Sequence, residues 1–204
     1  MTILVTGFEP FGKHGSNPSA EVARRLKGET IGGQEVACAV LPVTVRGSVQ
    51  ELGVALAEHR PEIVLGLGLA GGRWGLSVER VAINVLDFRL PDNLGAQPAD
   101  QPIAEDGPAA YFATVPSMRI AAAWREAGIP GYVSNSAGTY VCNEVMYALL
   151  HGAEAQGYRG GFIHLPYTPE QAAAERAKEP SMELDTMLRG VGIALEVCVD
   201  TIPR

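Results

Sequence analysis

Ser134-Asn135-Ser136-Ala137-Gly138-Thr139-Tyr140-Val141-Cys142-Asn143-Glu144-Val145-Met146-Tyr147 decides how the chain is read. A short apolar run, Tyr132 and Val133, ends in small polar residues. Cys142, Val145, Met146 and Leu149 then recur at helical spacing on one face. The stretch predicts strand, turn and helix, the helix running to about Gln156. Cys142 falls in its first turn, where unpaired backbone N–H groups and the positive end of the helix dipole favour an anion. A thiolate is such an anion, so the position is expected to lower the cysteine pKa. A small cysteine on an apolar face also packs well in a core, and position alone leaves both roles open.

Outward from that stretch, strands alternate with helices. Ile3, Leu4 and Val5 read as a first buried strand, broken by the loop Gly7-Phe8-Glu9-Pro10-Phe11-Gly12. Asn17-Pro18-Ser19 opens an amphipathic helix (Val22, Ala23, Leu26) that stops at Gly28. Phe8 and Phe11 read either as core plugs or as flat pocket walls. Val36, Cys38 and Val40 alternate as a second strand, with Cys38 a core residue. A helix over 45–59 ends before Pro61, and His59 in its last turn suits a carbonyl cap. The strand 63–69 is apolar on both faces, as covered parallel strands are, and runs into Gly68-Leu69-Ala70-Gly71-Gly72-Arg73. This turn has neither GxGxxG spacing nor the P-loop lysine. Close backbone approach to a ligand suits it better.

The pattern next predicts one strand over 76–85, with Glu79 sharing a face with Val81, Ile83 and Val85. A carboxylate on an apolar face requires a partner. Three readings are open: a charge on an edge strand, an arginine in an ion pair, or a histidine that Glu79 orients. Residues 87–108 are polar and aperiodic, the composition of a lid or binding loop. A helix over 117–127 follows, then the opening stretch, with His151 near the end of its helix. Gly160-Gly161-Phe162-Ile163-His164-Leu165-Pro166-Tyr167 is a strand halted by proline. In doubly wound sheets ligands sit outside the carboxyl ends of strands, where His164 and the turn before Cys142 are expected. Leu184, Leu188, Val191, Leu195, Cys198 and Ile202 form the stripe of a last helix. The expected fold is a single α/β domain over 1–204, three layers with a mostly parallel, twisted open sheet.

At 204 residues, 47% hydrophobic and 19% charged, the chain is globular and long enough for a sizeable core. A net charge of −7 with no basic stripe argues against nucleic acid. No apolar run approaches the roughly 20 residues of a membrane span, and the N-terminal residues do not read as a secretory signal. Three cysteines without a CxxC pair make neither a disulfide nor a zinc framework. A reducing cytoplasm is the expected compartment, and no metal or organic cofactor is expected.

Of four histidines, His59 and His151 end helices and His14 lies in the first loop, so elimination favours His164 at its strand end. Cys142, His164 and Glu79 then make a nucleophile, a base and an orienting carboxylate. The chain resembles the pyroglutamyl peptidase I family of cysteine peptidases. The resemblance rests on segments 5–12, Asn17-Pro18-Ser19, Leu41-Pro42-Val43, Ala70-Gly71-Gly72-Arg73, Glu79-Arg80-Val81-Ala82-Ile83-Asn84, Pro91-Asp92-Asn93, 134–143 and Phe162-Ile163-His164-Leu165-Pro166, in the family's order. It implies release of N-terminal 5-oxoproline from small peptides, with Cys142 as nucleophile, His164 as general acid and base, and Glu79 as its partner. It implies a homotetramer. It also implies a substrate pocket using Phe8, Phe11, Asn17, Leu69, Arg89, Leu90, Tyr140 and Val141: aromatic walls at Phe8, Phe11 and Tyr140, backbone contacts at Leu90 and Val141, and Arg89 near the scissile carbonyl. Leu69 stands where many members have glutamine. Two other readings remain at this level. One is a phosphate-dependent nucleosidase or phosphorylase with Arg73 in an anion site, and the other a non-catalytic pyroglutamate-binding relative, motivated by Leu69.

Overall fold

The computed structural model describes residues 2–175 and 178–201. In chain order they form β1 (Thr2–Phe8), α1 (Pro18–Leu26), β2 (Thr30–Ile31), β3 (Gln34–Leu41), α2 (Gly47–His59), β4 (Ile63–Leu69), β5 (Leu76–Glu79), β6 (Val81–Ile83), β7 (Ala110–Phe112), α3 (Ser117–Glu126), β8 (Gly131–Ser134), α4 (Val141–Gln156), β9 (Arg159–Leu165), α5 (Pro169–Ala174) and α6 (Leu184–Asp200).

Seven strands make one sheet in the order β2-β3-β1-β4-β9-β5-β8. The central β3, β1, β4 and β9 are parallel, while β5 runs against β9 and β8 follows β5. Residues of α1, α3 and α6 pack into a core on one face, and those of α2 and α4 into a core on the other. This is the single-domain α/β architecture with helices on both faces that the alternating pattern implies. On β4, Ile63, Leu65 and Leu67 feed the first core and Val64 the second. Gly66 and Gly68 leave gaps on the α4 side: a Cβ at Gly66 would come 2.5 Å from the Phe162 ring, and one at Gly68 2.9 Å from Cys142 Sγ. The two strand glycines thus make room for a ring and a sulfur.

The expected single strand over 76–85 is two. β5 stays in the main sheet, whereas β6 pairs with β7 in a separate two-stranded ribbon. The break falls at Arg80, whose N–H donates to Ser134 O (2.8 Å) and whose C=O accepts from Ala113 N–H (2.9 Å). Alternation across that break therefore carries no meaning, and Glu79 does not share a sheet face with Val81, Ile83 and Val85. The turn before Cys142 does follow the carboxyl end of β8, as expected, and its residues Ser136 to Tyr140 line one cavity with His164. Because β8 runs against β9, the chain must travel on through residues 135–140 before α4 begins over β4 and β9. Cys38 is half-buried against the first core. Val191, Leu195 and Cys198 are fully buried on α6, and Ile202 lies outside the described residues. The ribbon strand β7 and the short α5, capped by Thr168 and Gln171, were not legible as periodic segments.

The expected lid over 87–108 is pinned along much of its length. Asp92 is buried and accepts from the N–H groups of Val45 (2.7 Å), Leu94 (2.9 Å) and Ala96 (2.8 Å), the first of which ties the loop to the connection between β3 and α2. Asn93 Nδ2 donates to Pro10 O (3.0 Å), joining it to the first loop. Asn143 performs the matching task below α4: fully buried, it accepts from Ile83 N–H (3.0 Å) and donates to Ile83 O (2.9 Å) and Val85 O (3.1 Å). Asn143→Ala would orphan these backbone groups at about 1–3 kcal/mol each where they stay dry. A loss of about 2–4 kcal/mol in urea unfolding is expected, and a change below about 0.5 kcal/mol would contradict this role.

Candidate active site

β9 points Phe162 toward the α4 core and Ile163 and Leu165 toward the other. His164, two residues after Phe162, faces the α4 side, and its ring packs 5.0 Å from that of Phe162. It is 3% exposed, and its Nδ1 lies 2.8 Å from Glu79 Oε1. Glu79 is completely buried and takes a second donor, Arg73 Nη1, at 2.6 Å. Arg73 also donates to Ser77 Oγ, and through Nη2 to Ser136 O at 3.2 Å. Ser77 is the register partner of His164 across β5 and β9. Both partners left open for Glu79 by the sequence are therefore present, an arginine and a histidine on one oxygen.

Burial opposes ionisation of Glu79, but the hydrogen bond and charge of His164 and the charge of Arg73 outweigh it and hold its carboxyl below the usual range. An ionised carboxylate only accepts, so His164 Nδ1 carries the proton and Nε2 is the free acceptor. Burial lowers the His164 pKa, against the opposing pull of Glu79, and Arg73 adds to the lowering. The imidazole is neutral at pH 7.

Cys142 is half-buried in the first turn of α4, its Sγ set against Gly68, and Gly68 is the register partner of His164. Both Cys142 and His164 line one cavity of about 840 Å³. No hydrogen bond joins thiol and imidazole among the described residues. The expected lowering of the Cys142 pKa is reversed. Burial, reinforced by the Glu79 charge, pushes the thiol up to about 12, and Arg73 and the cysteine's own backbone N–H only partly offset this. The resting site is a neutral thiol and a neutral imidazole over an Arg73–Glu79 ion pair. At the same helix end, Asn143 and Glu144 N–H turn back to Tyr140 O. Val141 N–H makes no turn or cap bond among the described residues, and Cys142 N–H is directed at its own Sγ.

Phe8, Phe11, Asn17, Leu69, Arg89, Leu90, Tyr140 and Val141 all line the same cavity. Tyr140 is its central wall, with ring centroids 5.3 Å from Phe11 and 4.3 Å from Phe88, and its hydroxyl donating to Pro91 O (3.1 Å). Phe8 is mostly core, 6.5 Å from Phe162. Leu69 is half-buried at the end of β4, Arg89 is exposed, and Leu90 lies 56% exposed. Asn17 is occupied with the chain itself. It caps α1 by accepting from Ser19 N–H (3.1 Å) and Oγ (2.8 Å), and it donates to Glu9 O (2.9 Å). Val43, His14 and Tyr167 also line the cavity without having been singled out as site residues; Val43 falls in a segment of the family resemblance, while His14 and Tyr167 have no motif signal. Arg73 was legible only as an anion ligand, and its guanidinium is committed to Glu79, Ser77 and Ser136. Nothing here favours the phosphate-dependent reading.

Gly68 offers a test of the geometry. In Gly68→Ala the new Cβ would meet Cys142 Sγ at 2.9 Å and the Phe162 ring at 3.0 Å, so the sulfur must shift. A misplacement of this kind costs on the order of 10²-fold in rate. Loss of kcat in a folded variant is expected; unchanged kcat would contradict the placement of the sulfur.

The family model described as pyroglutamyl peptidase matches residues 1–201. The pyrrolidone-carboxylate peptidase of Chromobacterium violaceum is 50% identical over 196 residues, 96% of this chain and 91% of the relative. That of Enterobacter sp. strain 638 is 51% identical over 198 residues, 97% and 92% of the two chains. Among solved structures, pyroglutamyl peptidase I of Bacillus amyloliquefaciens superposes with a TM-score of 0.94 at 40% identity, covering 98% of this chain and 97% of that one. A mutant pyrrolidone carboxyl peptidase of Pyrococcus furiosus reaches 0.97 at 42% identity, with both chains covered completely. With its sheet order, its buried carboxylate and histidine, and similarity along nearly its whole length, the chain belongs to the pyroglutamyl peptidase family.

Proposed function

We propose that this chain is a cysteine peptidase that hydrolyses the N-terminal pyroglutamyl residue from small peptides, with Cys142 as nucleophile, His164 as general acid and base, and Glu79 orienting the imidazole. The observation that carries the reading is the buried Glu79–His164 bond of 2.8 Å in a cavity that also holds Cys142. A pyroglutamyl group has no free amine, so its pocket needs flat walls and backbone donors and acceptors, not an acid for an ammonium. Phe11 and Tyr140 supply such walls, and Leu90 and Val141 the backbone.

His164 Nε2 takes the Cys142 proton as the sulfur attacks the pyroglutamyl carbonyl. The N–H groups of Val141 and Cys142 receive the developing oxyanion, with Arg89 near the scissile carbonyl. The imidazolium, stabilised by Glu79, then protonates the leaving amine, and the C–N bond breaks to leave a thioester on Cys142. Water, deprotonated by His164, hydrolyses the thioester and restores the thiol. No step requires a metal or organic cofactor.

Release of aminomethylcoumarin from its pyroglutamyl amide tests the reading. Turnover is expected, with the prolyl amide, which lacks the lactam carbonyl, worse by up to about 10⁴–10⁵ in kcat/KM. Binding of pyroglutamate without hydrolysis would instead establish a non-catalytic relative. The pH profile tests the protonation state. His164 must be neutral to act as base, and its pKa lies below 6.5, so kcat/KM should be flat near neutrality and fall with acid only below that value. An acid limb centred above 6.5 would contradict the neutral pair. Among the described residues no helix is long and apolar enough to cross a membrane. On the family resemblance we assign the enzyme to the cytoplasm as a homotetramer, which light scattering at assay concentration checks.

A further inference from the structure

The cavity of about 840 Å³ has the size of a site for a drug-sized ligand, whereas a pyroglutamyl group is one small ring and a carbonyl. The aromatic wall of Phe11 and Tyr140 stands beside Cys142. A second wall stands across the ends of β4 and β9. There the rings of His14 and Tyr167 meet at 5.3 Å and 52°, and the Tyr167 ring lies directly on Gly71, where a Cβ would collide with it. Gly71 is two residues past the end of β4, and Tyr167 three past His164. The wall is built and fastened. Glu175 bonds Lys13 Nζ at 2.8 Å and pairs with His14 Nε2 at 3.1 Å, while Gln171 Nε2 donates to Ser16 O at 3.1 Å. Glu179 adds a second carboxylate beside Gly72, its Oε2 3.4 Å from where a Cβ there would stand. Glu175, Glu179 and Lys13 are thus the charges that act at the Tyr167 ring, two carboxylates and one lysine.

The direction of the substrate follows from the proposed chemistry. The imidazole that protonates the leaving nitrogen must lie on the leaving-group side of the scissile bond, so the released peptide departs past His164 and away from the lactam wall. We propose that Tyr167 and His14, on the floor made by Gly71, form the subsite for the residue that follows pyroglutamate, and that it favours a planar aromatic side chain and disfavours an acidic one. The inference rests on the peptidase reading above and deepens it. Aromatic side chains gain from offset or tilted packing on such rings. A carboxylate entering the same space is repelled by Glu175 and Glu179.

The test is kcat/KM for pyroglutamyl-phenylalanine, pyroglutamyl-alanine and pyroglutamyl-aspartate amides. Wild type should prefer phenylalanine to alanine by about fivefold to tenfold, the size of one favourable ring contact, and alanine to aspartate by a similar factor. Tyr167→Ala should erase the first preference and Tyr167→Phe retain it. Glu175→Gln, a mild change at the rim, should raise the aspartate-to-alanine ratio without requiring Tyr167 to be altered. The proposal is overturned if wild type does not discriminate among the three, or if both ratios survive in Tyr167→Ala and Glu175→Gln. Cleavage of none of the three by wild type would instead overturn the peptidase reading itself.

Discussion

Cys142→Ala is expected to lower kcat/KM for a pyroglutamyl amide by about 10⁴-fold or more, with the folded state retained. Alanine is the best helix former and sits at a position where the backbone of α4 is already set by Tyr140, so the helix start should persist. What disappears is the sulfur at Gly68. The other two cysteines cannot replace it: Cys198 is fully buried in the opposite core, and Cys38 is on β3, outside the cavity lining. Cys142→Ser is a sharper version, because it keeps a nucleophilic atom and nearly the same volume. A hydroxyl is far less acidic than even this raised thiol, so a large loss is expected there too. Activity near wild type in Cys142→Ala would remove the nucleophile from the proposal.

His164→Ala should cost a comparable factor, and the double variant with Cys142→Ala no more than either alone. The two groups act on one proton transfer, and residues that work as a unit do not add. The substitution has a second consequence, in stability. Glu79 is buried and loses the His164 donor, keeping Arg73 as its main charge partner. Removing one partner of a buried charge is costly, so a lowered thermal midpoint should accompany the kinetic loss, whereas Cys142→Ala should show little of it. Glu79→Gln should impair turnover less than His164→Ala, since the imidazole stays in place and loses its orienting charge. Equal losses from Glu79→Gln and His164→Ala would assign Glu79 a larger part than orientation.

The cysteine turn carried most of what was legible in the sequence. Small polar residues followed by helical spacing locate the start of α4 to within a residue, because turn chemistry and apolar period are both local. The four central parallel strands were legible for the same reason: 63–69 is apolar on both faces and covered on both. The direction of β5 and β8 was not, since strand polarity follows from where the chain goes after Glu79 and Ser134, and no local residue type encodes that. Arg80 shows the limit well. It interrupts a seemingly continuous strand because Ala113 and Ser134 take its backbone, two partners remote in sequence.

The candidate site divides along the same line. Residue type and position at a strand or helix end pointed to Cys142 and His164, whereas Glu79 was picked out by an alternation that the break at Arg80 removes. Tyr167 on Gly71 and Asn143 holding β6 are contacts between segments far apart in sequence, whereas Arg73, only six residues from Glu79, was open as an arginine partner without being singled out. The pKa of Cys142 is the instructive reversal. The helix end does lie at the sulfur, as expected, yet burial and the neighbouring carboxylate outweigh it. In the proposed mechanism the thiolate then forms only as His164 takes its proton during attack.

Acid quenching during the first turnover of an activated pyroglutamyl ester, followed by intact-mass analysis and peptide mapping, tests the central claim most directly. The account predicts one added pyroglutamyl acyl group, located on Cys142, absent from Cys142→Ala, and lost on standing at neutral pH as the thioester hydrolyses. Product release with no adduct under conditions where acylation outpaces hydrolysis, or an adduct on Cys38 in place of Cys142, would contradict it.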